Sequence, residues 1–223
     1  MSFSVRAGEV LGFTGLIGAG RTETMRLVFG ADKRESGSIF LDGRELNIQS
    51  PRDAVRARIC LLTEDRKHQG LALMHSVREN FSLPNLAEFS RLGVINQARE
   101  RDALQKYVET LDIKISDMEQ VVGNLSGGNQ QKVVIAKWLQ HNCEVIIFDE
   151  PTRGIDVGAK YEIYLLINQL AAAGKAIIMI SSELPEVLGM SDRIIVMRKG
   201  VISGEVTDVA NTSQEELLDL AID

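Results

Sequence analysis

The feature that most constrains the fold is a glycine-rich turn between an apolar segment and a helix-forming segment. The turn, Gly15–Thr22, follows the apolar run Glu9–Phe13 and opens the segment Arg21–Phe29, which carries helix formers. Glycines let the backbone curl so that successive amides point at an anion, and a helix start adds partial positive charge. The spacing is that of a phosphate-binding loop with arginine in the lysine position. A plain packing turn is the alternative for this segment taken alone.

Two later segments bring further polar groups to the ends of regular elements. Leu125–Gln130 opens a helix predicted over Gly127–Gln140, which places a serine hydroxyl and glycine amides at its N-terminus. The run Val145–Phe148 reads as a buried strand that ends in Asp149 and Glu150. Each segment alone has an ordinary explanation, a helix cap or a polar strand exit. Their order after a glycine turn indicates nucleotide chemistry.

The remaining pattern alternates strands with helices, which predicts an α/β fold with a mostly parallel sheet. Ser38–Leu41 followed by Asp42-Gly43 predicts a β-hairpin, and Ser50 is expected to cap a short helix that starts at Pro51. Residues 77–122 have helical periodicity with polar faces and are expected to form an inserted helical lobe, with a core of residues 1–76 and 123–223. Further predicted strands are Ile59–Thr63, Ala176–Ser181 and Arg193–Arg198, and further predicted helices are Val157–Ala173, Glu183–Gly189 and Thr212–Ala221.

Composition excludes several classes of function. The formal net charge of −6 provides no basic surface, so nucleic acid is not an expected partner. The sequence lacks the run of about 18 apolar residues that a membrane helix needs, so any membrane association is expected to go through partners. Cys60 and Cys143 have no metal-ligand spacing and are expected to be buried, reduced thiols of a cytosolic protein.

Over essentially its whole length the sequence resembles the ATP-binding cassette family. Leu125–Gln130 matches the family's signature motif, Val145–Glu150 its Walker B strand and Gly154–Asp156 its D-loop. Three segments are similar to the second cassette of bacterial monosaccharide importers of the ribose, galactose and xylose type, namely Glu64–Lys67, Pro151–Lys160 and Ser181–Arg193.

The resemblance implies a P-loop NTPase (RecA-like) core with a mostly parallel sheet, an antiparallel β-hairpin region and the helical lobe. It implies ATP and Mg²⁺ as cofactors, with Glu150 polarising the attacking water. The expected metal-binding residues are Thr22, Glu64 and Asp149. The expected nucleotide-binding residues are Gly15, Gly18, Ala19, Gly20, Arg21, Thr22, Glu23, Ser126, Gly127, Gly128, Gln130, Asp156 and Ser182.

Three positions depart from the family's active pattern. Arg21 replaces the loop lysine, and a planar guanidinium is not equivalent to a compact ammonium. Glu64 stands where the family has the Q-loop glutamine, and Ser182 stands where it has the switch histidine. Cassettes of this family pair head to tail. We therefore expect the chain's own site to bind nucleotide with slow turnover at most, while Ser126–Gly128 serves the nucleotide of the partner cassette.

The expected partners are an N-terminal cassette, integral membrane permease subunits and, indirectly, a periplasmic sugar-binding protein, with the chain peripheral at the cytoplasmic face of the membrane. Glu64–Leu73 is either a permease docking face or a solvated loop with Asp65, Arg66 and Lys67 exposed. The family's first strand, with its adenine-stacking aromatic residue, is expected to lie upstream of this chain, as in the C-terminal half of a two-cassette protein. A catalytically silent nucleotide-binding partner is one alternative. A cassette acting in repair or translation is another, which the acidic charge disfavours.

Overall fold

The helices and strands follow the predicted alternation along the chain. The computed structural model describes residues 1–222. Its strands are β1 (Val10–Gly15), β2 (Ile39–Leu41), β3 (Arg44–Leu46), β4 (Ile59–Leu62), β5 (Ser90–Arg91), β6 (Val94–Ile95), β7 (Val145–Asp149), β8 (Ala176–Ile180), β9 (Arg193–Arg198) and β10 (Val201–Val206). Its α-helices are α1 (Arg21–Phe29), α2 (Pro51–Arg56), α3 (Val77–Ser82), α4 (Leu86–Phe89), α5 (Gln97–Thr110), α6 (Gly127–Gln140), α7 (Val157–Ala172), α8 (Leu184–Met190) and α9 (Gln214–Ile222).

A six-stranded sheet in the order β10-β9-β1-β8-β7-β4 carries the glycine turn. Strand β1 pairs in parallel with β8 and β9, and β7 pairs in parallel with β8. Strand β10 returns antiparallel to β9 through Lys199-Gly200, where both residues have positive φ. Every residue of β7 and β8 is buried, as expected for parallel strands covered on both faces. The predicted mostly parallel α/β architecture is confirmed.

Register brings the carboxyl ends of three strands to one edge of this sheet. Ile180, at the end of β8, is the Cα partner of both Phe13 on β1 and Asp149 on β7. The residues that follow these strands therefore lie close together, although they are far apart in sequence. In open parallel sheets this edge is where ligands bind.

The chain divides into two compact units. One comprises Met1–Leu61, Glu144–Pro151 and the chain from Ile167 onward, and the other comprises Leu62–Cys143 and Thr152–Leu166. In the first unit, α8 and α9 cover β9 through an apolar cluster of Val187, Ile194, Val196, Leu217 and Ala221. In the second unit, α3 packs against α5 and α6. This second unit contains the predicted helical lobe and extends beyond it on both sides.

Two local expectations were wrong. Residues predicted as helical include the short hairpin β5-β6, which turns at Leu92-Gly93 because both residues adopt positive φ. Ser50 precedes α2 but makes no side-chain cap hydrogen bond; its hydroxyl donates instead to the carboxylate of Asp53 at 2.7 Å. The predicted Asp42-Gly43 hairpin is present between β2 and β3.

The cysteines also differ from expectation. Neither thiol is free within residues 1–222, and Cys60 and Cys143 are both disulfide-bonded. Strands β4 and β7 are neighbours in the sheet, and the Arg58 carbonyl accepts hydrogen bonds from the Glu144 and Val145 amides. The prediction of two reduced thiols was wrong because it had no information on this strand adjacency.

Candidate functional site

The glycine turn lies at the carboxyl end of β1 and leads into α1. Gly15 has a φ of +147°, and a β-carbon built there would lie 2.2 Å from the carbonyl oxygen of Met197 on β9. Gly20 has a φ of 94° and precedes α1 with no side-chain cap. The first amides of a helix have no intrahelical acceptor. The turn therefore offers curved backbone and helix-start donors together, which suits a phosphate group.

The other predicted residues of the turn have different exposures. Ala19 is buried, and its amide donates to the Leu16 carbonyl at 3.0 Å. Gly18 has a φ of +78°, and a β-carbon built there would have no neighbouring atom within 4 Å. Glu23 is exposed in the first turn of α1, where a negative charge complements the helix dipole. The turn thus has a fixed interior at Ala19 and an open rim.

Arg21, the residue in the lysine position, is buried and directed into the first unit. Its Nη1 donates to the Ser181 carbonyl oxygen at 2.9 Å. Its Nη2 lies 3.9 Å from Glu150 Oε1. The guanidinium therefore joins the start of α1 to the end of β8 and to the carboxylate that follows β7.

Asp149 closes the carboxyl end of β7 beside Thr22. The Thr22 hydroxyl donates to Asp149 Oδ1 at 3.1 Å. Burial raises the pKa of the Asp149 carboxyl to about 6, and the neighbouring Glu150 charge acts in the same direction. Burial makes this carboxylate costly to ionise, and a cation bound beside it would offset that cost through charge attraction.

Glu150 combines backbone strain with burial. Its φ of 48° lies in the left-handed region, which is unfavourable for a non-glycine residue. The Ser182 hydroxyl donates to Glu150 Oε2 at 3.2 Å. Burial raises the pKa of Glu150, whereas the hydrogen bond from Ser182 and the charge of Arg21 lower it. Strain of this kind is retained at functional positions.

Removing the Asp149 charge is expected to stabilise the ligand-free protein. Because the folded-state pKa is raised, the wild type loses stability as pH rises from about 4, the ordinary value for aspartate, through about 6. Asp149→Asn keeps an acceptor for Thr22 and has no such loss. We expect it to be about 1–3 kcal/mol more stable at pH 7.5, with the difference vanishing towards pH 4. Urea unfolding in magnesium-free buffer across this pH range measures the effect.

Asp219→Asn is the control for this comparison, because Asp219 is an exposed carboxylate on α9 in the same unit. Its expected effect is within about 0.5 kcal/mol at every pH. An Asp149→Asn protein that is less stable than wild type at pH 7.5 would contradict the assignment of an unfavourable buried charge.

The donor set at the end of β7 fits magnesium rather than a transition metal. The residues described form no group of three or more His, Cys, Asp or Glu side chains that could hold a metal ion. Asp149 and Thr22 supply a carboxylate and a hydroxyl oxygen next to the glycine turn. Magnesium is typically held by one or two protein oxygens, with phosphate oxygens and water completing the shell.

The second unit carries the predicted signature residues at the start of α6. Ser126 caps this 14-residue helix, accepting from the Asn129 amide at 3.4 Å and from the Asn129 side chain at 3.0 Å. A β-carbon at Gly128 would lie 2.7 Å from Ala159 Cβ. Ser126 is exposed, while Gly127 is half-buried and Gly128 buried. The helix-cap interpretation is correct for Ser126, and its exposure leaves the helix start accessible to an anion.

Three other predicted site residues have partners within this second unit. Gln130 is buried, and its Nε2 donates to the Val122 carbonyl at 3.2 Å. Asp156 Oδ1 accepts from the Ala159 amide at 3.0 Å, which caps the start of α7. Glu64 forms an ion pair with Arg153.

Sequence reasoning missed two contributors. The Ser181 backbone carbonyl has no sequence signature, because any residue supplies one. Arg66 was considered only as part of a permease docking face or of an exposed loop, yet it is buried. Asp65 and Lys67 are exposed, as the solvated-loop alternative predicted. The signal available was an arginine beside an acidic residue in a segment with charged residues on both sides, which does not distinguish a buried side chain from a solvated one.

The fold and the glycine turn define a P-loop nucleotide-binding cassette, and comparison with protein families agrees. The model for the ABC transporter family matches residues 1–153, so the chain belongs to that family.

Among curated relatives, the chain is 55% identical over 221 residues to the ribose import ATP-binding protein RbsA of Oceanobacillus iheyensis, covering 99% of this chain and 44% of that protein. It is 57% identical over 202 residues to the protein of the same name from Geobacillus kaustophilus, covering 91% of this chain and 41% of the relative. It is 53% identical over 222 residues to a putative ribose/galactose/methyl galactoside import ATP-binding protein of Rhizobium meliloti, covering 100% and 44%. The chain thus spans less than half the length of these relatives.

Solved structures support the fold. An ATP-binding cassette of an ABC transporter, described from a twinned crystal, superposes with a TM-score of 0.84 at 23% identity, covering 100% of this chain and 91% of that one. A dimeric ATP-binding cassette bound to ADP and Pi superposes with a TM-score of 0.76 at 21% identity, covering 92% and 88%. Within residues 1–222, the helices are all too short or too polar to cross a bilayer.

Proposed function

We propose that this chain is the nucleotide-binding module of an ABC-type importer of monosaccharides, with ribose as the transported sugar. The proposal is supported by the 55% identity to a protein named for ribose import, across 99% of this chain. Its cofactors are ATP and Mg²⁺. It works at the cytoplasmic face of the membrane with permease subunits and, through them, a periplasmic sugar-binding protein. Nucleic acid is not a partner.

In the proposed site, Gly15–Thr22 binds the phosphates of ATP through backbone amides. Thr22 and Asp149 would hold Mg²⁺, which would neutralise phosphate charge when bound. Glu150 orients the attacking water and accepts its proton. Glu150 has the strained backbone and raised pKa that general bases often have.

The observation that carries the proposal of slow turnover is the position of Arg21. Its guanidinium donates to the Ser181 carbonyl at 2.9 Å and lies 3.9 Å from Glu150. The Ser181 carbonyl and Glu150 therefore compete with phosphate for the Arg21 guanidinium. The positive charge of Arg21 also weakens Glu150 as a base. Ser182 supplies a short neutral hydroxyl at the position where the family has histidine. This site therefore binds nucleotide and hydrolyses it slowly.

The signature residues act on a different nucleotide in the proposed assembly. Ser126–Gly128 begins α6, a helix long enough to carry a full dipole, and Ser126 is exposed. In a head-to-tail pair with another cassette, this helix start contacts the nucleotide held by the partner's glycine turn. The chain then contributes half of a competent site and holds a slow site of its own.

Single-turnover ATPase assays test the catalytic part. With enzyme in excess over radiolabelled Mg-ATP, we expect the wild-type chain to hydrolyse ATP about tenfold faster than Glu150→Gln. This ratio is smaller than the usual 10²–10⁴ for loss of a general base, because Arg21 already engages the carboxylate. Equal rates for the two proteins would favour the alternative, a silent nucleotide-binding partner, which the closeness of Arg21 to Glu150 supports. Pull-down with a permease separates both from a cassette that acts in repair or translation.

A further inference from the structure

Arg66 is a buried arginine at the start of a π-helical turn, Arg66–Gly70, in the second unit. Its Nη1 donates to the Arg153 carbonyl at 2.9 Å, and its Nη2 donates to the Gly154 carbonyl at 3.3 Å. Its Nε donates to Gln130 Oε1 at 3.4 Å. One guanidinium thus joins the loop before α7 to the first turn of α6.

The contact with α6 leaves little room for a side chain at Gly127. A β-carbon at Gly127 would lie 2.7 Å from Arg66 Nη2 and 3.0 Å from the Gly154 carbonyl oxygen. Gly127 therefore has a packing role, because the absence of a β-carbon lets the guanidinium and the loop backbone approach the helix. Neighbouring Gly128 makes a similar close approach to Ala159, on the first turn of α7.

The partners of Arg66 explain why an arginine occupies this position. Among the residues described, its hydrogen-bond acceptors are two backbone carbonyls and one amide oxygen, none of them a carboxylate. A planar fork can reach two successive carbonyls at once, whereas a lysine ammonium is a single point donor. Such an arrangement selects one geometry of the loop at the expense of a buried charge.

Two further contacts hold the same segment. Glu64 forms an ion pair with the side chain of Arg153, so the segment contacts residue 153 through both its side chain and its carbonyl. At the other end of the π-helical turn, the ammonium of the buried Lys137 of α6 donates a hydrogen bond to the Gly70 carbonyl. The segment 64–70 therefore contacts α6 at two points seven residues apart, Gln130 and Lys137, and it also contacts the loop before α7.

We propose that Arg66 is a positioning residue that holds the Gly154–Asp156 segment against the start of α6, and so sets the geometry in which Ser126–Gly128 meets a nucleotide. The part that concerns nucleotide rests on the proposed function. The part that concerns the loop does not. Arg66 touches no reacting atom in this scheme; it acts through Gly127 and Gly154.

The test uses the full-length protein that carries this chain, with Arg66→Met, Arg66→Lys and Lys67→Met. Methionine preserves much of the side-chain volume without donors, and lysine keeps the charge but only a single donor group. Lys67 is exposed and adjacent, so Lys67→Met removes the same charge without the contacts. Amide hydrogen exchange at Gly154–Val157 is measured together with ATPase kcat and KM.

We expect exchange at Gly154–Val157 to accelerate at least tenfold in Arg66→Met, with Arg66→Lys intermediate and Lys67→Met at the wild-type rate. We expect kcat to fall about 10- to 100-fold while the KM for ATP stays within about twofold, because misplacing a group by about 1 Å can cost 10²-fold. Should Arg66→Met fail to fold, Arg66→Lys provides the same comparison against Lys67→Met.

The inference is overturned if amide exchange at Gly154–Val157 is the same in Arg66→Met and Arg66→Lys as in Lys67→Met. Faster exchange with unchanged kcat overturns its nucleotide part, provided that Ser126→Arg is inactive. If Ser126→Arg is active as well, it is the proposed function that fails, and faster exchange still supports the positioning of the loop by Arg66.

Discussion

Replacing Ser126 with arginine in the full-length protein is expected to lower its steady-state ATPase kcat by at least about 100-fold, the usual loss when one preorganised donor to developing charge is removed. Ser126 is exposed at the start of α6, where its hydroxyl accepts from Asn129. Arginine removes the hydroxyl and places a long side chain across the helix start that the proposed function assigns to the partner's nucleotide. Coupled-enzyme assay of ATP hydrolysis measures the effect.

Ser213→Arg is a matched control because Ser213 also caps a helix from an exposed position. The Glu216 amide donates to Ser213 Oγ at 3.2 Å, at the start of α9. Both substitutions remove a cap and add one positive charge, and each is expected to cost about 1 kcal/mol of stability. ATPase activity is expected to fall only in Ser126→Arg. Near-normal activity in Ser126→Arg would contradict the proposal that Ser126–Gly128 acts on the nucleotide of the partner cassette.

Gly15→Ala is expected to abolish saturable binding of Mg-ATP by the glycine turn and to destabilise the protein by about 2–5 kcal/mol, the sum of the ranges for positive-φ strain and overpacking. The added methyl would lie 2.2 Å from the Met197 carbonyl oxygen. Gly15 and Met197 are Cα partners in the β1–β9 ladder, so neither backbone moves without disrupting the sheet. Equilibrium dialysis with Mg-ATP and urea unfolding measure the two effects.

Gly37→Ala separates strain from steric overlap. Gly37 has a φ of +88° but nothing within 4 Å of the added carbon. It lies outside the glycine turn and is exposed. We expect a stability loss of about 1 kcal/mol and unchanged nucleotide binding. If Gly15→Ala behaves like Gly37→Ala in both measurements, the turn does not hold phosphate in the geometry described.

The regular elements were largely predictable because their signals are local. Arg21–Phe29, Gly127–Gln140 and Arg193–Arg198 have the bounds predicted from helix formers, glycine starts and apolar runs. The β5-β6 hairpin was missed because Leu92 adopts a positive φ, which leucine rarely takes and which the sequence pattern did not predict. Ser50 precedes a helix as predicted, yet its hydroxyl bonds to Asp53 instead of capping.

The candidate site was predictable in its residue types but not in their partners. The turn Gly15–Thr22 and the carboxylates Asp149 and Glu150 at the end of β7 were singled out from the sequence pattern, and in the structure the Thr22 hydroxyl lies 3.1 Å from Asp149 Oδ1. The engagement of Arg21 with Ser181 could not be predicted, because the acceptor is a backbone carbonyl 160 residues away. Glu64 was expected near metal, and in this structure it forms an ion pair with Arg153.

The sequence by itself determined where the chain curls, where helices begin and which apolar runs form strands, because those properties depend on residues within a few positions of one another. Tertiary structure alone decided which of two neighbouring cations, Arg66 and Lys67, is buried, and that both cysteines are disulfide-bonded. Charge and exposure of a side chain depend on what the rest of the chain packs against it. That information arises only when segments distant in sequence meet.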